Sequence, residues 1–167
     1  MSLSLPHNES QKPAQRAEWT IQRVSWVVWG AILVAGLAGL LGPGPLSTTE
    51  VEAPDQSISV RFNRFEHYSR PGTWELALHP RETATELRVE ISAPLIHNVQ
   101  VLRIEPEPKG STLKNDTIVY TFDYDGPKSG PTPRILFHVQ HEHPGNVEGT
   151  IRLADHEPVV VNQFIFP

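Results

Sequence analysis

The run Val24–Leu41, VSWVVWGAILVAGLAGLL, constrains this chain more than any other segment. It carries no charge, and Ser25 is its only hydroxyl. A helix of that length spans about 27 Å, close to the hydrocarbon thickness of a bilayer. The run is apolar on every face, whereas a helix packed on a soluble core needs only one apolar stripe. A transmembrane helix is therefore expected. It divides the chain into a tail (1–23), a helix (24–42), a linker (43–56) and a folded domain (57–167). A cleaved signal peptide is the rival reading. The long leader, an apolar run beyond the usual 7–15 residues, and the ending Gly42-Pro43-Gly44-Pro45 without an A-x-A site fit a retained anchor better.

The flanks orient the helix. Lys12, Arg16 and Arg23 precede it, and no Lys or Arg occurs between Gly42 and Gln56. The positive-inside rule then puts the N-terminus in the cytoplasm and the C-terminal domain on the far side. Trp19, Trp26 and Trp29, with Arg23, lie toward the cytoplasmic end and read as membrane-interface anchors. Ala31, Ala35 and Gly39 recur every four residues, with Gly42 a turn further on. Small residues on one face let a second helix approach closely, so this stripe is the expected helix-packing interface.

Beyond the linker the pattern changes period. Ile58, Val60 and Phe62 alternate with polar residues, as do Trp74, Leu76 and Leu78, then Leu87, Val89 and Ile91. The period of two continues in Ile118, Tyr120, Phe122 and Tyr124, which alternate with Thr117, Val119, Thr121 and Asp123, and in Ile135, Phe137 and Val139, which alternate with Leu136, His138 and Gln140; Val147, Ile151 and Leu153 share a face with Gly149. Alternation with one apolar face predicts half-buried antiparallel strands. The segment His97–Glu105 slips phase between Val101 and Leu102, as a β-bulge would cause. Val159–Phe166 is apolar on both faces. Arg70-Pro71-Gly72, Pro106 to Gly110, Asp125-Gly126-Pro127 and Pro144-Gly145-Asn146 supply turns. Seven or eight strands follow, packed as an antiparallel two-sheet sandwich of immunoglobulin-like architecture, with a small barrel as the alternative.

The chemistry is sparse. The chain has no cysteine, which removes disulfides, thiolate metal sites and cysteine nucleophiles. A disulfide-free domain of this size suits a bacterial periplasm. No nucleophile elbow, zincin helix or phosphate-binding glycine loop occurs, so neither an enzyme nor a bound cofactor is expected. From Ser47 onward, 11 Lys and Arg stand against 17 Asp and Glu, which argues against nucleic acid and against docking on anionic lipid. Histidine is the one local concentration: His138, His141 and His143, with His156 further on. On a continuing strand His141 and His143 would share a face and could hold zinc or copper with His156, while His138 has the opposite parity. Solvated residues around a turn are the plainer reading.

The order of basic tail, RVSWVVWGAILVAGLAGLLGPGPLS, β domain and final VNQFIFP resembles a group of uncharacterised small bacterial single-pass membrane proteins with an extracytoplasmic β domain. The resemblance implies an inner-membrane setting and supplies no site residues. The leading expectation is a non-enzymatic accessory protein. Its ectodomain binds another envelope protein, and its helix packs on a membrane partner or on itself. A periplasmic zinc- or copper-binding protein is the alternative.

Overall fold

The computed structural model describes residues 11–39, 44, 46–80, 84–124 and 132–167. The chain divides into two compact units, Met1–Leu37 and Ala38–Pro167. The first is built on one helix, α1 (Gln11–Ala38). Its stretch Glu18–Ala38 is long and apolar enough to cross a membrane, and none of it is buried against protein. Trp26, Val27, Trp29, Leu33 and Leu37 stand fully out from the helix, a surface that water does not tolerate well and lipid does.

Helix α1 begins earlier and ends earlier than its apolar run. It takes in Gln11 to Arg23, read above as a tail, and it stops at Ala38 rather than Leu41. The stop has a local cause. Gly39 adopts φ +91°, the left-handed conformation that closes helix C-termini. A Cβ there would lie 2.6 Å from Cα of Gly44, so the returning chain admits only glycine. Leu46 N then donates to Ala38 O at 3.0 Å.

The second unit is two β-sheets with a short helix. Its strands are β1 (Thr48–Glu52), β2 (Ile58–Asn63), β3 (Phe65–His67), β4 (Pro71–Leu78), β5 (Glu86–Ser92), β6 (Val99–Glu105), β7 (Gly110–Lys114), β8 (Thr117–Asp123), β9 (Arg134–His141), β10 (Gly145–Leu153) and β11 (Val159–Phe166); α2 (Ala93–Ile96) precedes β6. One sheet has the order β1-β2-β4-β9-β6 and the other β3-β11-β10-β5-β8-β7. Every pair is antiparallel except β3 with β11, which is parallel over three residues.

The alternating sequence faces become the core. Trp74, Leu76 and Leu78 of β4, with Ile135, Phe137 and Val139 of β9, face Val89 and Ile91 of β5, Ile151 of β10 and Val161 of β11. Tyr120 meets Phe137 edge-on across the two sheets, with ring centroids 5.4 Å apart. The phase slip in β6 is a register shift between Val101 and Arg103 against β9. Gly149 leaves space for α2, since a Cβ there would lie 2.7 Å from Leu95.

Among the described residues the sheets hold eleven strands, more than the seven or eight expected. The additions are β1, β3 and β7. β1 lies within the stretch read as a linker, where TTEVE offers one apolar residue, yet it pairs with β2 from Thr48↔Asn63 to Glu52↔Ser59. β7 is exposed along its whole length, so burial leaves no periodic mark on it. β3 has only three residues, too few to show a period.

Candidate interaction surfaces and an interior polar cluster

The histidines read as candidate ligands do not converge. Strand β9 ends at His141, so His141 and His143 do not share a strand face. His141 points into the core with no exposure, while His143 lies in the exposed turn before β10. His138 is on the opposite face of β9, beside Thr73 Oγ1 (3.3 Å) and Glu105 (3.6 Å). His156 bonds through Nδ1 to Asp55 Oδ2 at 2.7 Å. Among the described residues, no group of three or more His, Cys, Asp or Glu is placed to hold a metal. The Asp55 carboxyl is held well below the usual carboxylate range, first by the Ser57 hydroxyl at 2.6 Å and then by His156.

His141 belongs instead to a polar cluster at one end of the core. Its Nε2 lies 3.2 Å from Glu66 Oε2, and the two side chains are 0% and 5% exposed. That contact is close but not aligned as a hydrogen bond, and Nδ1 of His141 also has no hydrogen-bond partner. Glu66 Oε1 accepts from Asn63 Nδ2, Gln163 Nε2 donates to Asn63 O, and Trp74 Nε1 donates to Gln163 Oε1 at 3.1 Å. The cluster links β2, β4 and β9 of one sheet to β3 and β11 of the other. Gly72 makes it possible, because any Cβ there would run into the Glu66 carboxylate. These hydrogen bonds tie the short strand β3 to the opposite sheet, while Glu66 Oε2 and both His141 nitrogens are buried without one.

The outward side of β3 and β11 is different in kind. Inward residues Val159, Val161, Gln163 and Ile165 alternate with outward Val160, Asn162, Phe164 and Phe166. Phe164 and Phe166 stack edge-on at 5.0 Å, Phe65 is 6.2 Å from Phe166, and His67 is 5.6 Å from it. Val160 and Phe164 are 52% and 42% exposed. A groove of about 400 Å³ beside them is lined by Val51, Phe62, Arg64, Phe65, Asn162 and their neighbours. Sequence reading missed this surface, although RFNRFEHYSR (61–70) carries three arginines and four aromatic or imidazole rings in ten residues.

The opposite margin of the domain is formed by β6 and β7. Strands β1 and β2 pack near β11, and β6 and β7 are the far strands of their two sheets. Among the described residues β6 pairs only with β9, leaving its outer edge without a strand, and Leu102 is exposed at its bulge. Leu113 is exposed on β7.

On the helix, Arg23 lies over the Trp19 ring at 4.9 Å, a cation–π contact among the expected interface anchors. Ala31 and Ala35 are on α1, but Gly39 lies past its end with a capping conformation, and Gly42 lies outside the described residues. The helical part of the small-residue stripe is therefore Ala31 and Ala35. Together these features define an apolar, membrane-length helix joined to a two-sheet β domain. No protein-family model and no curated protein matches the chain.

Proposed function

We propose that this chain is a non-enzymatic accessory protein of a bacterial inner membrane. Its N-terminus lies in the cytoplasm, and its immunoglobulin-like domain in the periplasm binds another envelope protein. The observation that carries this reading is the β6 edge. One edge of this seven-residue strand faces no neighbouring strand among the described residues, with Leu102 exposed along it. Such an edge adds a strand from a partner by main-chain hydrogen bonds, with side-chain pockets giving selectivity. The bulge and the Arg103–Glu105 ion pair limit this edge to a matched partner rather than indiscriminate pairing. Ala31 and Ala35 offer the membrane counterpart, a close approach for a partner helix.

A photo-crosslinking residue at Leu102 in intact cells tests the reading. One discrete crosslinked envelope protein is expected, and none from the same probe at Arg152, which is ion-paired in the middle of the other sheet. Equal yields from both positions, or no protein adduct at Leu102, would remove the β6 edge as the binding site.

A further inference from the structure

Five cations of the domain are ion-paired, whereas among the described residues the two arginines beside β3, and Lys114 on β7, are not. Arg88, Arg103, Lys109, Arg134 and Arg152 each form an ion pair with a glutamate or aspartate. Arg61 stands across from Glu50 and Glu75 in the strand register. Arg64 and Arg70, which flank β3, are exposed and have no ion pair among the described residues. Between and beside them stand Phe65, His67, Tyr68, Phe164 and Phe166. A domain with a net negative charge thus has one margin where two unpaired arginines stand among aromatic rings, with Glu148 on the neighbouring strand opposite Asn162.

The same margin is tied to the point where the chain leaves the helix. Ser47 Oγ donates to Phe65 O at 3.1 Å and accepts from Phe65 N at 3.0 Å, a double clamp on the first residue of β3. Arg64 N donates to Ser47 O at 2.7 Å. Ser47 is nine positions after Ala38, the last residue of α1, so by connectivity alone it stays within about 30 Å of the helix end. Leu46, exposed, comes immediately before the clamp.

We propose that the outward face of β3 and β11 docks on the bilayer surface beside the protein's own helix. Phe164, Phe166 and Phe65 would sit at the headgroup level, and Arg64 and Arg70 would face lipid phosphates. Aromatic rings favour that zone because one part of it is apolar and the other wet. Arginine there gains from anionic lipid and offers a fork that matches phosphate oxygens. The tether removes most of the entropic cost of finding the surface, so a small patch suffices. The overall acidity of the domain does not oppose this, since the field decays within about 8 Å at physiological salt and only the nearest charges count.

The test uses the full-length chain in vesicles, with a single introduced cysteine carrying an environment-sensitive fluorophore; the chain has no cysteine of its own. Val160→Cys reports on the proposed face and Leu113→Cys on the opposite margin. In vesicles of phosphatidylcholine with phosphatidylglycerol, headgroup-spin-labelled lipid should quench the Val160 probe and spare the Leu113 probe. Removing one arginine, Arg64→Gln or Arg70→Gln, should lower the docked-to-undocked ratio about fivefold. Phe164→Asp, which leaves both arginines in place, should also release the face. Circular dichroism of each variant checks that the sheets persist. An unquenched Val160 probe, equal quenching at both positions, or indifference to both arginine and phenylalanine changes would overturn the proposal. So would a photo-crosslink from Val160 to protein instead of lipid.

Discussion

Two stretches of the same six-stranded sheet treat their charges and rings in opposite ways. On β5, β8 and β10 most outward charges are paired: Arg88 with Glu86, Arg152 with Glu90, and Asp123 with Lys109 just before β7, while Glu148 is exposed without an ion pair. The Asp123 carboxylate also holds the Lys109 ammonium above its usual range. On β3 and β11 the outward residues are Phe65, His67, Val160, Asn162, Phe164 and Phe166, flanked by Arg64 and Arg70, whose side chains make no ion pair among the described residues. The ion pairs of the first surface are solvent-exposed and contribute little to stability. The second exposes apolar area and two guanidinium groups without ion pairs among the described residues. Within a single sheet, one surface thus pairs most of its charges and the other sets unpaired arginines among exposed rings.

The sharpest contrast is between two phenylalanines. Phe137→Ala, at the centre of the core, should cost about 3–5 kcal/mol in urea unfolding of a soluble fragment beginning at Leu46. Phe164→Ala should stay within about 0.5 kcal/mol, as an exposed residue held for something other than stability would. A comparable loss at Phe164 would make the ring a packing element and dissolve the contrast.

A second contrast lies on either side of β3. Inward, His141→Ala leaves the Glu66 carboxylate buried beside an empty space, and should cost on the order of 3 kcal/mol. The double change His141→Ala with Glu66→Ala should cost less than the sum of the two single changes, because the pair is in contact. Additive losses would mean that the two groups do not act as a pair.

A smaller effect concerns acid. The Asp55 carboxyl is more acidic folded than its ordinary value of 3.8. Its stabilising contribution is therefore complete above that value and is lost as pH falls toward the lowered folded value. Ser57→Ala removes the largest cause, so the variant should lose less stability than the parent on acidification below pH 4, with the two alike in their slope near neutrality. Identical acid limbs would show that the hydroxyl does not set the carboxyl's acidity.

The sequence made the helix and the core strands legible because both have a strong period. An uncharged run such as VSWVVWGAILVAGLAGLL admits few readings, and alternation such as Ile135, Phe137 and Val139 fixes which face is buried. The slip at Val101 even placed the bulge. What it did not show was anything held by partners far along the chain. Strand β1 exists because Val51 and Thr49 pair with β2, and β3 because three residues dock beside β11. His141 looked like a ligand on a surface strand, since its distant neighbour Glu66 had no mark in the local pattern. Gly39 read as part of a packing stripe because its four-residue spacing fits a helix. The cap appears only once the chain folds back and brings Gly44 against it. The basic aromatic margin joins segments about a hundred residues apart, near Phe65 and Phe164, and no local window contains both.

Everything proposed for the domain's surfaces rests on its being held across a membrane from the N-terminus, and the most direct measurement is topological. Single cysteines at Gln11 and at Leu113 can be challenged with an impermeant thiol reagent in intact spheroplasts. A cytoplasmic N-terminus with the β domain outside gives labelling at Leu113→Cys and protection at Gln11→Cys until the membrane is broken. Labelling of Gln11→Cys with protection of Leu113→Cys, or release of the β domain from the membrane by cleavage after the helix, would contradict it.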